Sequence, residues 1–243
     1  MEKAFLQAIV DEPNDDAPRL IFADWLEEHG DVERAEFIRI QIQLDRLPPK
    51  QRGRQALEER SAHLLCRYRE RWAAALREIV PWFGTADIGF ARGFPISLRI
   101  FLDDLSEHAA ELFAIAPIQR IALRGPGART FGAILVQQWR ELIFSPGMKR
   151  ITHLQLSLDD GCRVNDDGII ALAVSPYVCN VTMLDLTAAI FGIEGSRALY
   201  QSIRAGSLRN VTTLLIGQQT KDPTMCKEIA KEVEKHRQGE EKH

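Results

Sequence analysis

The chain has 243 residues, of which 45% are hydrophobic and 27% are charged, and its formal net charge at pH 7 is −3. This composition is typical of a globular protein that folds as one long domain or two modest ones. It excludes a chain with membrane-spanning helices, because no apolar run approaches the ~20 residues that a bilayer requires.

Charge is distributed unevenly along the N-terminal third of the sequence. Residues 1–45 contain twelve acidic and four basic side chains, whereas residues 46–77 contain nine basic and three acidic ones. Neighbouring blocks of opposite charge either pack against each other or present separate faces to partners. Packing together is the commoner arrangement, and the sequence leaves both open.

Residues 1–80 have the apolar spacing and the capping residues of a wholly helical unit. Gly30 follows the second helix at a position that favours the left-handed conformation of a helix stop. The pair Pro48 and Pro49 ends the third helix, since a helix does not continue through the residue before a proline. Four helices are predicted, at residues 3–11, 18–29, 32–47 and 51–78.

Residues 81–243 alternate between strand-like and helix-like segments. Their clearest feature is an interval of 30 residues that relates Leu154, Leu184 and Leu214, with Asn-Val-Thr before the last two strands, at residues 180 and 210. Such self-similarity is typical of solenoids, because one strand–helix unit cannot bury its apolar face without stacking on a copy. Strands, each followed by a helix, are predicted at residues 94–101, 118–124, 151–157, 181–187 and 211–217.

These patterns predict an α/β fold with two parts. An N-terminal helical bundle, residues 1–80, is expected to cap a short leucine-rich-repeat solenoid with a parallel sheet, residues 81–243. The spacing of the first strands is irregular, and the whole second part contains about five strand–helix units.

Three segments of the first part, Phe5–Ile9, Pro13–Gly30 and Arg34–Arg39, resemble the signature of the bacterial repeat-companion domain family. Residues 89–94 and 111–117 resemble the middle portion of that family. The resemblance implies a helical N-terminal domain followed by irregular leucine-rich repeats of the ribonuclease-inhibitor-like kind. It implies no reaction, because the family is known as an architecture without an assigned activity.

No group of residues in the sequence has the spacing of an active site or a metal centre. The cluster from Asp24 to His29 lacks the H-x-x-E-H order of a zinc helix, and residues 159–168 fail the spacing of a calcium loop. No G-x-S-x-G segment or Cys/His pair indicates a nucleophile. We therefore expect a protein that is not an enzyme, with no catalytic residues, no metal and no cofactor.

The outward residues of the predicted parallel strands are the favoured contact site for a protein partner, because a rigid sheet loses little freedom on binding. The predicted contact residues are Arg99, Arg120, Arg124, His153, Gln155, Asp185 and Thr187. The alternative hypothesis is a nucleic-acid or nucleoprotein accessory that uses the basic helix within residues 46–77.

The sequence also predicts a cellular compartment. Residues 1–6 lack the basic leader and long apolar stretch of a secretory signal. The cysteines at 66, 162, 179 and 226 form no C-x-x-C pair and have no histidines at metal spacing. We therefore expect a cytoplasmic protein with reduced thiols and without a membrane partner.

Overall fold

The structure is a computed structural model that describes residues 1–124, 135–157, 164–217 and 223–240. The fold is mixed α/β, as predicted. The helices are α1 (Glu2–Asp11), α2 (Ala17–Glu28), α3 (Val32–Arg46), α4 (Arg54–Trp72), α5 (Ala74–Ile79), α6 (Leu102–Ile115), α7 (Leu135–Ile143), α8 (Asp166–Val174), α9 (Ile193–Ala205) and α10 (Pro223–Glu240). The strands are β1 (Ile88–Ala91), β2 (Phe94–Phe101), β3 (Arg120–Arg124), β4 (His153–Ser157), β5 (Met183–Leu186) and β6 (Thr213–Ile216).

The chain forms two compact units. The first comprises Met1–Leu98 and Glu111–Ile118, and the second comprises Arg99–Ala110 and Gln119–His243. The first unit thus extends past the boundary predicted at residue 80. Within the described ranges, no helix is both long enough and apolar enough to cross a bilayer.

The helices of the first unit follow the sequence pattern closely. The first three begin and end within one residue of the predicted bounds, and Gly30 adopts the expected left-handed conformation with φ of +87°. The fourth predicted helix, residues 51–78, is instead interrupted at Ala73, which separates α4 from α5. The apolar stripe of α4 lies in the core as predicted, where Leu64, Tyr68 and Trp72 pack with residues of α3.

The acidic and basic blocks of the first unit pair with each other. Arg46 bonds Asp16 at 2.6 Å, Arg60 bonds Glu36 at 2.6 Å and Arg71 bonds Asp31 at 2.8 Å. These ion pairs join residues 46–71 to carboxylates of residues 16–36. Of the two arrangements that the sequence leaves open, the structure thus has the one in which the blocks pack together.

Arg34 is a buried cation of this unit that is surrounded by aromatic rings. Its guanidinium carbon lies 4.6 Å from the ring centroid of Trp72 and 5.2 Å from that of Phe94. Burial lowers the pKa of Arg34 to about 9, and Asp31 opposes that effect. The side chain therefore stays charged at neutral pH and is stabilised by cation–π contacts.

A β-hairpin that was not predicted completes the first unit. Strand β2 lies at the first predicted strand and is followed by α6 as expected, and the unpredicted strand β1 pairs with it antiparallel, with Ala91 opposite Phe94. Gly93 makes the turn with φ of +84°, and a Cβ atom there would lie 2.4 Å from Cγ1 of Ile38. Only glycine fits this position, which brings the hairpin against the helices.

Asp16 links the hairpin to the helical turn before α2. Its carboxylate accepts hydrogen bonds from Arg46 and from Arg92, and Arg92 also donates to the carbonyl oxygen of Asn14 at 2.7 Å. Burial raises the pKa of Asp16, but the bonds from Arg46 and Arg92 outweigh burial and lower it below its ordinary value. The ionised carboxylate is therefore part of the folded state.

We predict that Asp16→Asn lowers the free energy of unfolding at pH 7 by about 2 kcal/mol, because two charge-assisted interactions are lost. A folded-state pKa below the unfolded value stabilises the protein above the unfolded pKa, and this stabilisation is lost as pH falls through the folded pKa. The difference between wild type and variant should therefore shrink below about pH 4. Urea unfolding at pH 7, 5 and 3 measures it.

The matched control is Asp24→Asn, because the Asp24 side chain is 68% exposed and pairs with Arg39 at the surface. An exposed ion pair contributes about 0–1 kcal/mol. Equal losses at the two sites, or a difference that does not change with pH, would contradict the role of Asp16.

The strands of the sheet follow the order β1-β2-β3-β4-β5-β6, and in the second unit β3, β4, β5 and β6 pair parallel with their neighbours. The strands are in the predicted register, so that Ile121 is opposite Leu154, Leu154 is opposite Leu184 and Leu184 is opposite Leu214. The first three of these side chains are at most 2% exposed. Stacking of equivalent aliphatic residues thus forms the core face of the sheet.

A threonine precedes each of the last three strands, and we call the hydrogen bonds that Thr152, Thr182 and Thr212 make with the strand before them the threonine ladder. The carbonyl oxygen of Thr152 accepts bonds from the N–H of Thr182 at 2.8 Å, the N–H of Met183 at 3.0 Å and the hydroxyl of Thr182 at 3.2 Å. The carbonyl of Thr182 receives the same three bonds from Thr212 and Thr213, one strand later. The 30-residue interval of the sequence therefore corresponds to a repeated hydrogen-bond pattern.

The helices of the second unit are joined by polar contacts of the same spacing. Trp139 donates from its indole to the carbonyl oxygen of Gly168 at 2.8 Å. The carboxylate of Asp166 accepts from the N–H of Gly192 at 2.9 Å and of Gly195 at 2.6 Å, and so caps α9. The bonds to Asp166 satisfy N–H groups at the start of α9 that the helix leaves without an internal partner.

We predict that Thr182→Val lowers the free energy of unfolding by about 1 kcal/mol, because the hydroxyl bond to Thr152 is lost while the shape is kept. Thermal or urea unfolding measures the loss. Thr213→Val is the control, since Thr213 is exposed and should tolerate the change within about 0.5 kcal/mol. A larger effect at residue 213 than at residue 182 would contradict the ladder.

Candidate interaction face

The outward face of the parallel sheet is formed by every second residue of its strands. Successive side chains of a strand point to opposite sides, so the residues between the buried leucines lie on the face away from the core. We define the outward face by these residues: Arg120, Ala122 and Arg124 of β3, His153 and Gln155 of β4, Met183 and Asp185 of β5, and Thr213 and Leu215 of β6.

The register of the strands arranges these side chains in rows. One row runs from Arg120 through His153 and Met183 to Thr213, and the next runs from Ala122 through Gln155 and Asp185 to Leu215. Neighbouring strands lie about 4.8 Å apart, so each row spans about 14 Å. Both rows cross the four parallel strands from β3 to β6.

The structure brings three of the predicted contact residues together. Arg120 is exposed and stands opposite His153 in the register, and Gln155 lies two residues along the same strand as His153. Arg124 is half-buried, with its guanidinium carbon 5.7 Å from the ring centroid of Phe101. Arg99 is exposed on β2, which is the neighbour of β3 in the strand order of the sheet.

Asp185 does not project into solvent as predicted. It is only 6% exposed, and its Oδ1 atom accepts the N–H of Thr187 at 2.9 Å and the hydroxyl of Thr187 at 2.7 Å. A carboxylate that bonds the backbone two residues later forms an Asx turn. Asp185 thus shapes the turn after β5, and Thr187 lies beyond the strand with its hydroxyl already engaged.

Four residues of the outward face were not predicted from the sequence. Ala122 and Met183 are half-buried, Thr213 is exposed and Leu215 is 43% exposed. The 30-residue interval that relates His153 to Met183 and Thr213 could have identified the first row. Leu215 was not recognised because an apolar residue within a strand is usually assigned to the core.

His153 is the titratable group at the centre of the first row. Burial lowers the pKa of its imidazole, and the neighbouring Arg120 lowers it further. Its Nδ1 atom lies 2.9 Å from the hydroxyl of Thr152, which donates to the carbonyl oxygen of Gln119 at 3.2 Å.

The basic segment that the alternative hypothesis requires is largely engaged within the first unit. In addition to the pairs of Arg46, Arg60 and Arg71, Arg54 bonds Glu58 at 2.8 Å and Arg77 bonds Glu70. Tyr68 donates to Glu33 at 3.0 Å, and Trp72 stacks on Phe37. These two aromatic side chains contact their own unit and do not form a stacking platform for bases.

Among the residues that the structure describes, no group of histidine, cysteine and carboxylate side chains could hold a metal ion. The acidic segment 159–168 is only partly described, and Asn165 caps α8 by accepting the N–H of Gly168 at 3.2 Å.

We predict that Arg120→Gln raises the pKa of His153, although it stays below the ordinary value because burial is the larger cause of the shift. An NMR titration of the imidazole protons measures the change. Arg197→Gln on α9 is the matched control and should leave the titration of His153 unchanged. Identical titrations in wild type and the Arg120 variant would contradict the proximity of the two side chains.

Comparison of the chain with protein-family models, with curated proteins and with solved structures found no match. The resemblance to the repeat-companion family therefore stays a prediction from the motif residues. The geometry of the outward face and the chemistry of its side chains are therefore the basis for inferring a function.

Proposed function

We propose that this chain is a non-catalytic protein–protein interaction or scaffold module whose outward sheet face binds a protein partner. In this proposal residues 1–80 are a helical repeat-companion domain and the later strand–helix units stack as an irregular leucine-rich-repeat solenoid. The parallel strands in register and the threonine ladder at 30-residue intervals support the solenoid part.

The observation that carries the proposal is the alignment of outward side chains from four adjacent strands on a hydrogen-bonded scaffold. The backbone beneath these side chains is held by the sheet and by the ladder of Thr152, Thr182 and Thr212. Binding is opposed by the conformational entropy that loops and side chains lose when they become ordered. The strands of this sheet are already ordered, so less of that entropy is lost on binding.

The chemistry of the outward face favours a partner with carboxylates or carbonyl oxygens. Arg120 is exposed and positively charged, and Gln155 supplies a further donor from its amide. The one carboxylate of the two rows, Asp185, is buried and bonded to Thr187. An acidic segment of a protein that crosses the strands would therefore meet donors without a competing negative charge.

The ion pairs of α4 disfavour the nucleic-acid alternative. Affinity for nucleic acid comes mainly from basic side chains that contact phosphates, and Arg60 and Arg71 instead contact Glu36 and Asp31. A protein partner at the outward face is the proposal that fits these contacts.

The experiment is affinity capture from native cell extract with the full chain and with Arg120→Glu. Charge reversal at a contacted arginine should weaken capture of the partner at least about tenfold, which corresponds to about 1.4 kcal/mol. A photo-crosslinking residue placed at position 120 should then label the same partner directly.

The matched control is Arg197→Glu, which reverses an exposed charge on α9, where the side chain is 60% exposed. Retention of every captured protein by the Arg120 variant would contradict the face. Capture that disappears after nuclease treatment, and that weakens steeply with salt, would favour the nucleic-acid alternative.

A further inference from the structure

Arg120 and His153 are adjacent side chains on the outward face. They stand opposite each other in the parallel register of β3 and β4, so their Cα atoms lie about 4.8 Å apart. Arg120 is exposed and His153 is half-buried, and both project from the same side of the sheet. The two side chains can therefore reach the same group of a partner.

The two strands that flank His153 differ in the charge that they bring to it. β3 carries Arg120, directly opposite the imidazole, and Arg124, four residues along the strand. β5 places Met183 opposite His153, and its carboxylate, Asp185, is buried and accepts bonds within the turn after the strand. Among the described residues, Arg120 is the charged group that acts on His153, and it opposes protonation of the ring.

The hydrogen bonds around His153 nevertheless accommodate a charged imidazole. An imidazolium donates from both ring nitrogens. Nδ1 has an acceptor 2.9 Å away in the hydroxyl oxygen of Thr152, and that hydroxyl donates to the carbonyl oxygen of Gln119 at 3.2 Å. Nε2 makes no hydrogen bond with a described residue, so its N–H is left for an acceptor that a partner supplies.

We propose, on the basis of the function proposed above, that Arg120 and His153 together bind one carboxylate of the acidic partner and that His153 takes up a proton from solvent on binding. The carboxylate offers one oxygen to the guanidinium and the other to the Nε2–H of the ring. Its negative charge offsets the repulsion between the two cations, so the imidazolium is favoured in the complex and disfavoured in the free chain.

The direction of the pH dependence follows from the two states of His153. In the free chain, burial and Arg120 hold the pKa of the imidazole below its ordinary value, so the ring is mostly neutral at pH 7. In the complex, the carboxylate raises that pKa. A pKa that is higher in the complex strengthens binding below the free-chain pKa, and this gain is lost as pH rises through the pKa of the complex. Binding should therefore tighten as pH falls from about 8 to about 5.5.

The probe for this site is an acetylated and amidated hexa-aspartate peptide, whose side chains stay mostly ionised above about pH 5. Isothermal titration calorimetry of the full chain at constant ionic strength, in two buffers of different ionisation enthalpy, measures both affinity and proton uptake. We expect binding about tenfold tighter at about pH 5.5 than at about pH 8, which is the effect of a rise of about one unit in the pKa of His153. Proton uptake should accompany binding near about pH 6.5.

His153→Gln keeps a hydrogen-bond donor at this position and removes the titration. This variant should bind the peptide at about pH 8 as the wild type does, but lose both the proton uptake and the tighter binding at low pH. His63→Gln, at an exposed histidine of α4, is the matched control and should keep both. Arg120→Gln should weaken binding at every pH. Circular dichroism checks that the variants are folded.

Three results would overturn the proposal. They are a peptide that does not bind, binding that Arg120→Gln leaves unchanged, and binding without proton uptake whose pH dependence is the same in wild type and His153→Gln. The interaction function itself survives these results if capture from native extract still depends on Arg120, because that capture does not require protonation of His153. Capture that is indifferent to Arg120→Glu contradicts the function instead.

Discussion

The second unit depends on one carbonyl group in each repeat that accepts three hydrogen bonds. The carbonyl oxygens of Thr152 and Thr182 each receive two backbone N–H groups and one threonine hydroxyl from the next strand. This pattern fixes the register, because a shift of one residue would turn the following leucines away from the core. The same bonds align the side chains of the outward rows. The candidate interaction face therefore exists only while this register is kept.

The first unit depends on a different constraint, which is the neutralisation of its own charge. The acidic and basic blocks are separate in the sequence, but the fold brings their charges together, because Arg60 pairs with Glu36 and Arg71 pairs with Asp31. Arg34 is the extreme case, since its charge is held among aromatic rings of α3, α4 and the hairpin. Basic residues that are conspicuous in the sequence thus contribute mainly to folding, which leaves the sheet of the second unit as the stronger candidate for recognition.

The sequence by itself determined the elements that follow a local period. The helices α1 to α3 and the strands that begin near Ile121, Leu154, Leu184 and Leu214 are visible because apolar spacing reports secondary structure directly. The threonines before the strands were visible as a repeat, although the carbonyl group that each one bonds lies about 30 residues away. The 30-residue interval therefore predicted the register of the strands, but it did not show the hydrogen bonds that fix this register.

Only the tertiary structure decided the burial of Asp185, the hairpin of β1 and β2, and the exposure of Leu215. Each of these depends on contacts between residues that lie apart in sequence or on a turn whose geometry alternation does not encode. Asp185 has the position of an outward residue, yet its bonds to Thr187 turn it into a structural group. Gly93 allows the hairpin because a distant side chain, Ile38, occupies the space that a Cβ atom would need. A local pattern specifies which side of an element a residue occupies, whereas packing from elsewhere in the chain decides what covers it.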